Sequence, residues 1–513
     1  MNQKDNGKAE INIEGGINLA GKVLAKNTLF NLMGRGVPLL AAFFTIPILI
    51  DYLGKDRFGV LALAWMVVGY FGIFDMGISR ATTKFLAETL ARKEYELVPS
   101  IFYSSMFMLA GLGVFGFVTA FLVTPWLVQH VFNIPSALAE ETTGAFYLLA
   151  FSIPWVICTA GAQGVLEAQQ KFGLLNAVKI PASIFTFVGP LLIVPYSVNL
   201  FYVTAVLIVG RILAFILYIA FAHGSISRYK YPRKPSMDLA RSLLSFGGWL
   251  TVSNIVGPIM VYMDRFIVGA LLTMSAVTFY VTPFELVSKV LIVPFALLGV
   301  LFPAFSAYSR TDIDKLDELY QKSIKYLIII VAPVVVVTII FAEPFMDFWL
   351  GTEFAQNSAI ILQLLSLGVL INTLAYSPIN AIQALGRPDV SAKIHLFELP
   401  IYLLILWFLV KWLGINGVAI AWVVRVILDN YLLNFNYHRL NPKTTSKFIT
   451  DKPLFDILIV ISIAVAFGIS LIPGIVYKTV LCLILLTLLI LHFWKRTLQA
   501  EDKQILYSLI KNR

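Results

Sequence analysis

The stretch YLGKDRFGVLALAWMVVGYFGIFDMGISRATTKF, residues 52–85, decides what kind of protein this chain forms. Between Arg57 and Arg80, Asp75 is the only charged side chain. An apolar run of about 20 residues is long enough to cross a hydrocarbon layer of about 30 Å as a helix. The stretch therefore predicts a membrane-spanning helix, residues 58–80, that carries a lone carboxylate near one end.

Similar apolar runs recur along the whole chain. Of its 513 residues, 59% are hydrophobic and 13% are charged, whereas an ordinary soluble domain carries about 25% charged residues. This balance excludes a soluble globular protein and predicts an all-α polytopic membrane protein with about 14 transmembrane helices. The predicted spans are residues 28–53, 58–80, 98–124, 144–166, 177–198, 200–222, 242–263, 276–305, 326–349, 358–383, 394–413, 416–437, 454–472 and 475–494.

The basic residues predict the orientation of the chain. Most of the 39 Lys and Arg residues lie in or near the termini and alternate loops, while Lys55, Arg57, Arg265, Lys411 and Lys478 lie on the opposite side, in the loops between or at the adjoining span ends. Because cytoplasmic loops of membrane proteins are enriched in Lys and Arg, both termini are predicted to be cytoplasmic. The net charge of +10 is therefore topological, and we expect no nucleic-acid partner.

The loops and the residue types indicate a transporter rather than an enzyme. The longest predicted outer loop, residues 125–143, has no Lys or Arg, and no segment is long enough for a separate catalytic domain. The chain has no GxxxxGK[ST] phosphate-binding loop. Its histidines are scattered, and Cys158 and Cys482 are far apart. We therefore expect no metal site, no cofactor and no disulfide.

A weak internal repeat relates the two parts of the chain. The loop after the fourth span resembles the loop after the tenth, and matching Ala168 to Ala384 places Lys171 opposite Arg387. Duplicated units of six helices share one orientation in the membrane and are related by an axis along its normal. The repeat therefore predicts two bundles of six helices with pseudo-two-fold symmetry.

The sixth and twelfth spans continue this match, because Arg211 lies opposite Arg425. The thirteenth and fourteenth spans fall outside the repeat as two extra C-terminal helices. The predicted division is a cytoplasmic tail (1–27), an N-terminal six-helix bundle (28–222), a basic cytoplasmic linker (223–241), a C-terminal six-helix bundle (242–437) and a final segment with the two extra helices (438–513).

Seven ionisable residues inside predicted spans are candidates for functional roles. Each costs about 2.5–3.5 kcal/mol near the bilayer centre and so needs a partner or a wet cavity. Arg35 and Asp75 have similar predicted depths, which favours a salt bridge that holds a gate; proton or cation coupling by Asp75 is the alternative. The seven are Arg35, Asp75, Arg211, Glu285, Lys289, Arg425 and Asp429.

Two couples among these residues are spaced four apart on one helix. Glu285 with Lys289, and Arg425 with Asp429, each share a helix face and are predicted to neutralise one another. The interior count is then four cations to three acids, which modestly favours an anionic group in a central cleft. The cations are candidates for substrate binding, and the acids are candidates for gating or coupling.

Four stretches resemble a known family. The first stretch, residues 52–85, contains Tyr-Leu-Gly, then Phe-Gly, and then Asp-x-Gly before a basic loop. The third, residues 380–398, contains a Gly-Arg-Pro turn. Here the chain resembles the polysaccharide-export flippases of the multidrug/oligosaccharidyl-lipid/polysaccharide exporter superfamily, close to the Wzx O-antigen flippases. The stretches are residues 52–85, 263–290, 380–398 and 413–425.

The resemblance implies two helical bundles around a central cavity in a bacterial inner membrane. They would move a polyprenyl-diphosphate-linked oligosaccharide from the cytoplasmic to the outer leaflet by alternating access. Glycan polymerase and chain-length regulator partners are implied as well. In this picture the diphosphate and acidic sugars are held by Arg35, Arg211, Lys289 and Arg425.

Two alternatives stay open at this stage. A cation-coupled multidrug exporter of the same superfamily is disfavoured because the first span has no carboxylate. A membrane glycan polymerase or ligase would need a larger outer loop with charged catalytic residues. The two extra helices, and the lack of an Arg-Gly-Asp in the eighth span, depart from known relatives and leave the subfamily undecided.

Overall fold

The computed structural model describes residues 38, 40–66, 75–227, 229, 236–441 and 453–498, and in these ranges every regular element is helical. Arg35 lies outside the described residues. We call α1–α6 the first half and α7–α12 the second half. The helices are α1 (residues 40–66), α2 (Ile78–Ala91), α3 (Leu97–Trp126), α4 (Ala139–Ala168), α5 (Phe172–Val188), α6 (Leu200–Ile226), α7 (Met237–Leu271), α8 (Met274–Val287), α9 (Ile292–Thr311), α10 (Ile313–Leu350), α11 (Thr352–Ala384), α12 (Pro388–Leu440), α13 (Pro453–Ser470) and α14 (Ile475–His492).

The helices confirm a multi-pass membrane protein. Among the described residues, nine helical segments are long and apolar enough to cross a membrane. One of them, α12, contains two predicted spans joined at Gly414, where φ is 57°. The count of about 14 spans is not settled by this finding and stays a prediction.

Two single-glycine turns replace predicted loops. Gly54 lies within α1 with φ of 73°, and Gly414 lies within α12 with φ of 57°. Glycine populates this left-handed region without the steric penalty of a Cβ atom. After the second turn the limbs of α12 pack backbone to backbone, because a Cβ atom on Gly417 would lie 2.0 Å from the carbonyl oxygen of Leu409.

Several helices extend beyond the predicted spans. Helix α7 continues to Leu271, so Arg265 lies within a helix rather than in an outer loop. Most of the predicted loop 125–143 is helical, because α3 and a following π-helical turn reach Val131 and α4 begins at Ala139. Hydropathy identifies only the apolar part of a helix. The helix itself can continue through charged residues when these form ion pairs, so its ends lie beyond the apolar run.

The two halves share one hydrophobic core around the turns at Gly54, Gly351 and Gly414. We call this end of the molecule the Gly54 end. The shared core includes buried side chains beside each turn: Leu53 of α1, Ala355 of α11, and Val410 and Val418 of α12. First-half residues of α3, α4 and α6 join the same cluster, for example Leu109, Ile153 and Val203.

At the opposite end, which we call the Arg387 end, the cores are separate. One cluster comes from α2–α6, with Leu86, Ile101 and Tyr218 among its members. Two others come from the second half and the extra helices α13 and α14. The start of α7 crosses to the first half here, where the Ser236 N–H donates to Ser104 Oγ at 2.8 Å. The halves are therefore joined most extensively at the Gly54 end.

The matched positions of the repeat occupy the same places in the two halves. Ala168 ends α4 and Ala384 ends α11. Two residues later, Gln170 and Gly386 both have positive φ, 55° and 78°. Arg211 and Arg425 each lie about 22 Å from the end of their helix, at a rise of 1.5 Å per residue.

The extra helices pack on the second half. Lys478, predicted at the outer end of the last span, is 5% exposed in α14, and its Nζ lies 3.4 Å from Glu343 of α10. The carboxylate of Glu343 compensates the charge of Lys478. Cys158 and Cys482 are buried and free.

Candidate functional site

A cavity of about 230 Å³ lies between α4, α5 and α6 of the first half. Its polar lining includes Thr159, Gln163, Lys179, Thr186, Arg211 and Tyr218. From helix geometry, Lys179 is about 10 Å and Arg211 about 22 Å from the Arg387 end of their helices. The cavity thus places two cations at different depths on the side of the molecule where the cores are separate.

Arg211 is not neutralised by a neighbouring acid. No carboxylate of the described residues lies within ion-pair distance of its guanidinium, and its closest polar contact is Nη1 to Ser152 Oγ at 3.5 Å. A guanidinium presents several N–H groups in a plane, which suits paired hydrogen bonds to a phosphate or carboxylate. The first half can therefore bind an anion.

The second half contains ion pairs instead. The predicted contact between Glu285 and Lys289 is present at 2.9 Å. The other carboxylate oxygen of Glu285 lies 3.3 Å from Arg265, which is 4% exposed and stacks over Phe284 at 4.5 Å from the ring centre. Two cations, Arg265 and Lys289, thus compensate the carboxylate of Glu285. The charge of Lys289 is already paired, whereas the charge of Arg211 is available to an anionic ligand.

Asp264, next to Arg265, is fully buried and fully hydrogen-bonded. It accepts from the Arg265 backbone N–H at 2.7 Å and from the Tyr280 hydroxyl at 2.6 Å. It is also close enough to Arg425 for an electrostatic interaction. Sequence reasoning missed Asp264 because the predicted seventh span ended at residue 263.

The predicted pairing of Arg425 with Asp429 is wrong. The Arg425 guanidinium lies over the Tyr402 ring, 5.6 Å from its centre, and Asp429 Oδ1 lies 3.4 Å from His395 Nε2. Both partners come from the first limb of α12, which the Gly414 turn folds back alongside the second. Spacing on one helix could not reveal these contacts, because they cross between two limbs.

Glu398 is a further buried acid that sequence reasoning missed. It has no exposed surface, and neither carboxylate oxygen has a hydrogen-bond donor among the described residues. It lies beside Asp429, close enough for a hydrogen bond between the two carboxyl groups. The signal was present in the sequence, because Glu398 interrupts a predicted span just as Asp75 does.

Asp75 has a local structural role. Its Oδ1 accepts from the Ser79 N–H at 2.9 Å and from the Ser79 hydroxyl at 3.0 Å. Met76 and Gly77 have positive φ, and α2 begins directly after them. A carboxylate at a helix N-terminus is stabilised by the exposed N–H groups and the helix dipole. The predicted salt bridge with Arg35 falls outside the described residues.

The structure adds Arg265, Asp264 and Glu398 to the buried charged residues of the described spans. Because Arg35 lies outside the described residues, the count of four cations to three acids stays a prediction. The distribution matters more than the total. Within the described spans, the second half contains four of these acids: Asp264, Glu285, Glu398 and Asp429.

Polar contacts between the halves close the Gly54 end. Lys55 of α1 pairs with Glu353 of α11, and Asp56 accepts from the Ser275 hydroxyl at 2.6 Å. Gly59 packs so closely on α8 that a Cβ atom there would lie 2.1 Å from the Met274 carbonyl oxygen. The residues of the Phe-Gly motif thus form part of the joint between the halves.

Comparisons with known proteins agree with this architecture. A family model described as "Polysaccharide biosynthesis protein" matches residues 48–359. The chain belongs to this family. A Shigella flexneri protein named as an O-antigen transporter is 33% identical over 419 residues, covering 81% of this chain and 98% of the relative.

Solved structures of membrane transporters have the same fold. An inward-facing multidrug resistance MATE family transporter superposes with a TM-score of 0.64 at 15% identity, covering 82% of this chain and 96% of the other. The lipid II flippase MurJ, in an inward closed conformation, gives 0.62 at 15% identity, covering 89% and 99%. At this identity the likeness shows the fold alone.

These findings confirm several predictions made from the sequence. The chain belongs to a polysaccharide biosynthesis protein family, in agreement with its resemblance to polysaccharide-export flippases. Its fold is an all-α membrane transporter fold, and the Shigella flexneri relative is named as a transporter rather than an enzyme. The geometry of the two halves bears on the roles of individual residues.

Proposed function

We propose that this chain flips a polyprenyl-diphosphate-linked oligosaccharide from the cytoplasmic to the outer leaflet by alternating access, and that the structure is its inward-facing state. The observation that carries the proposal is the unneutralised Arg211 in a cavity of about 230 Å³, in the region where the halves have separate cores. Family membership and the O-antigen transporter relative support the substrate class.

The cavity suits the diphosphate part of such a substrate. Arg211 would form paired hydrogen bonds with phosphate oxygens, and Lys179 would supply a second positive charge nearer the membrane surface. Ligand pockets for whole small molecules are about 300–1,000 Å³, so this cavity holds the diphosphate and adjoining atoms. The remaining sugars would lie between the halves, with the polyprenyl chain in lipid.

The distribution of basic residues supports the orientation. In a bacterial inner membrane, the Arg387 end and both termini would then face the cytoplasm. Residues 28–222 and 242–437 would then move as two bundles, with 223–241 as the cytoplasmic linker and 438–513 accompanying the second bundle. A glycan polymerase and a chain-length regulator would act on the flipped product.

Leaflet sidedness of the lipid-linked glycan tests the proposal. In a strain without the gene, the glycan should accumulate in the cytoplasmic leaflet. The intact chain should restore outer-leaflet glycan, while Arg211→Ala should lower the flipped fraction by about tenfold or more. Arg387→Ala is the matched control, since this arginine is exposed and bonded to Asp389. Unchanged sidedness without the gene, in a strain with no second flippase, would refute flipping.

A further inference from the structure

The second half has a connected set of charged groups with one acid in excess, which runs from the partly exposed Lys289 and Glu285 to buried acids. Lys289, Arg265 and Arg425 are the cations. The acids are Glu285, Asp264, Glu398 and Asp429. Because isolated charges are very unfavourable in a low-dielectric interior, a neutral His395 leaves one negative charge that requires a counter-charge.

The hydrogen bonds show which acids are uncompensated. Glu285 has two cationic partners, and Asp264 has two donors. In the described part of the chain, neither carboxylate oxygen of Glu398 nor Oδ1 of Asp429 has a hydrogen-bond donor, and the ion-pair partner of Asp429 is His395, which is charged only when protonated. An ionised carboxylate buried without a donor is strongly disfavoured relative to its protonated form.

The geometry of Glu398 and Asp429 suits one shared proton. Each lies about 15 Å from the Arg387 end of its own limb of α12, and their carboxyl groups approach within hydrogen-bond distance. Two ionised carboxylates are both acceptors and repel each other, whereas a single proton converts the contact into a hydrogen bond. A hard metal cation would take about six oxygen ligands, and no group of three or more metal-ligating residues occurs among the described ones.

His395 connects the pair to the surface. Its side chain is 31% exposed, while that of Asp429 is 6% exposed, and 3.4 Å separates His395 Nε2 from Asp429 Oδ1. Histidine changes its charge near neutral pH and commonly carries protons. A proton that binds to the imidazole can pass to Asp429 and be held between Asp429 and Glu398, which leaves His395 neutral again.

Other titratable groups near the pair already have their own contacts. On α7 and α8, Asp264 bonds to Tyr280. On α12 itself, Arg425 lies over Tyr402. Helix α11 has two such groups, of which Glu353 pairs with Lys55 and Tyr376 packs on Phe295. On α10, Asp317 and Tyr320 contact Tyr437 and Asn434, farther along α12.

We propose that Glu398 and Asp429 form a proton-binding site in which one proton is shared between the two carboxyl groups and exchanged through His395. The use of this site to drive flipping rests on the proposed function. Release of the proton would leave two adjacent buried carboxylates, so the second half would then favour a conformation that hydrates or separates them. The ligand of the second half is thus a proton, and that of the first half is an anion.

Infrared difference spectroscopy on the purified full-length chain in lipid tests the site directly. We expect a protonated-carboxyl C=O band in the wild type that Glu398→Gln removes and Asp429→Asn shifts. Glu88→Gln is the matched control and should keep the band, because the side chains of Glu88 and of its partner Lys84 are 48% and 45% exposed. His395→Gln should keep the band and slow its hydrogen–deuterium exchange by about tenfold or more.

Two results would overturn the site. One is an unchanged band in Glu398→Gln, and the other is a band that responds to sodium at constant pH. The isosteric amide avoids introducing a buried charge, and a thermal unfolding curve of each variant verifies that it is folded. The measurement needs no glycan, so a missing band leaves the flippase proposal intact, and failed flipping leaves the band in place.

Discussion

Arg211 and Arg425 occupy matched positions of the internal repeat at about the same depth, yet their surroundings differ. Arg211 borders a cavity and contacts the Ser152 hydroxyl at 3.5 Å. Arg425 lies over Tyr402 in a region with three buried acids. An arginine at the matched position therefore differs in role between the halves. Its neighbours determine whether its positive charge can bind a ligand or instead balances acidic side chains of the protein.

The largest expected effect is on the stability of the second half. Arg425→Ala removes a cation that interacts electrostatically with the buried acids Asp264 and Glu398, and leaving buried charged groups without compensation costs about 3 kcal/mol. Arg211→Ala should change thermal stability little, because its guanidinium has no acidic partner in the described residues. Unfolding of the purified variants measures the difference, and equal losses in both would contradict it.

A second substitution sharpens that result. Combining Arg425→Ala with Glu398→Gln restores charge balance, so the double variant should regain a large part of the lost stability. The non-additivity measures the coupling between the two side chains. Additive losses would mean that Arg425 stabilises the fold through packing on Tyr402 alone.

The next effect concerns substrate binding in the first half. Arg211→Ala should weaken binding of a polyprenyl-diphosphate glycan by about 10–100-fold, from the loss of charged hydrogen bonds that contribute about 1.5–3 kcal/mol each. Arg211→Lys should retain part of the affinity, because it keeps the charge without the planar donor group. Titration in detergent measures both, and wild-type affinity in Arg211→Ala would exclude this residue as the phosphate contact.

A smaller effect is expected where the halves join. Gly59→Ala forces a Cβ atom against the Met274 carbonyl oxygen, and such overpacking costs about 1–3 kcal/mol. A cysteine placed at Ser275 should then react at least about fivefold faster with an impermeant thiol reagent added from outside. Gly173→Ala is the control, since open space surrounds that position. Equal reaction rates would show that Gly59 does not hold this end closed.

The smallest effect is expected at the surface of the same joint. Lys55 pairs with Glu353, but the side chains are 34% and 57% exposed. Exposed ion pairs contribute about 0–1 kcal/mol because water and salt screen them. Lys55→Ala should therefore alter the labelling rate at Ser275 by less than about fivefold, and an effect as large as that of Gly59→Ala would contradict this account.

The sequence predicted the helical membrane fold from its apolar runs and the repeat from its matched segments. It predicted the contact of Glu285 with Lys289 from their spacing along one helix. It placed Arg265 in a loop because its partner Glu285 lies on another helix. It paired Arg425 with Asp429 because their partners, Tyr402 and His395, come from a limb that the Gly414 turn brings alongside. Contacts between helices are decided by packing, which the local pattern does not contain.

The central claim is that the first half binds the anionic substrate and the second half balances its own charges. Affinity for a polyprenyl-diphosphate glycan, measured side by side in Arg211→Ala and in the charge-balanced double variant Arg425→Ala with Glu398→Gln, tests it most directly. The account predicts a loss of about tenfold or more for the first variant and near wild-type affinity for the second. Equal losses in both variants would contradict it, because Arg425 would then bind substrate as Arg211 does.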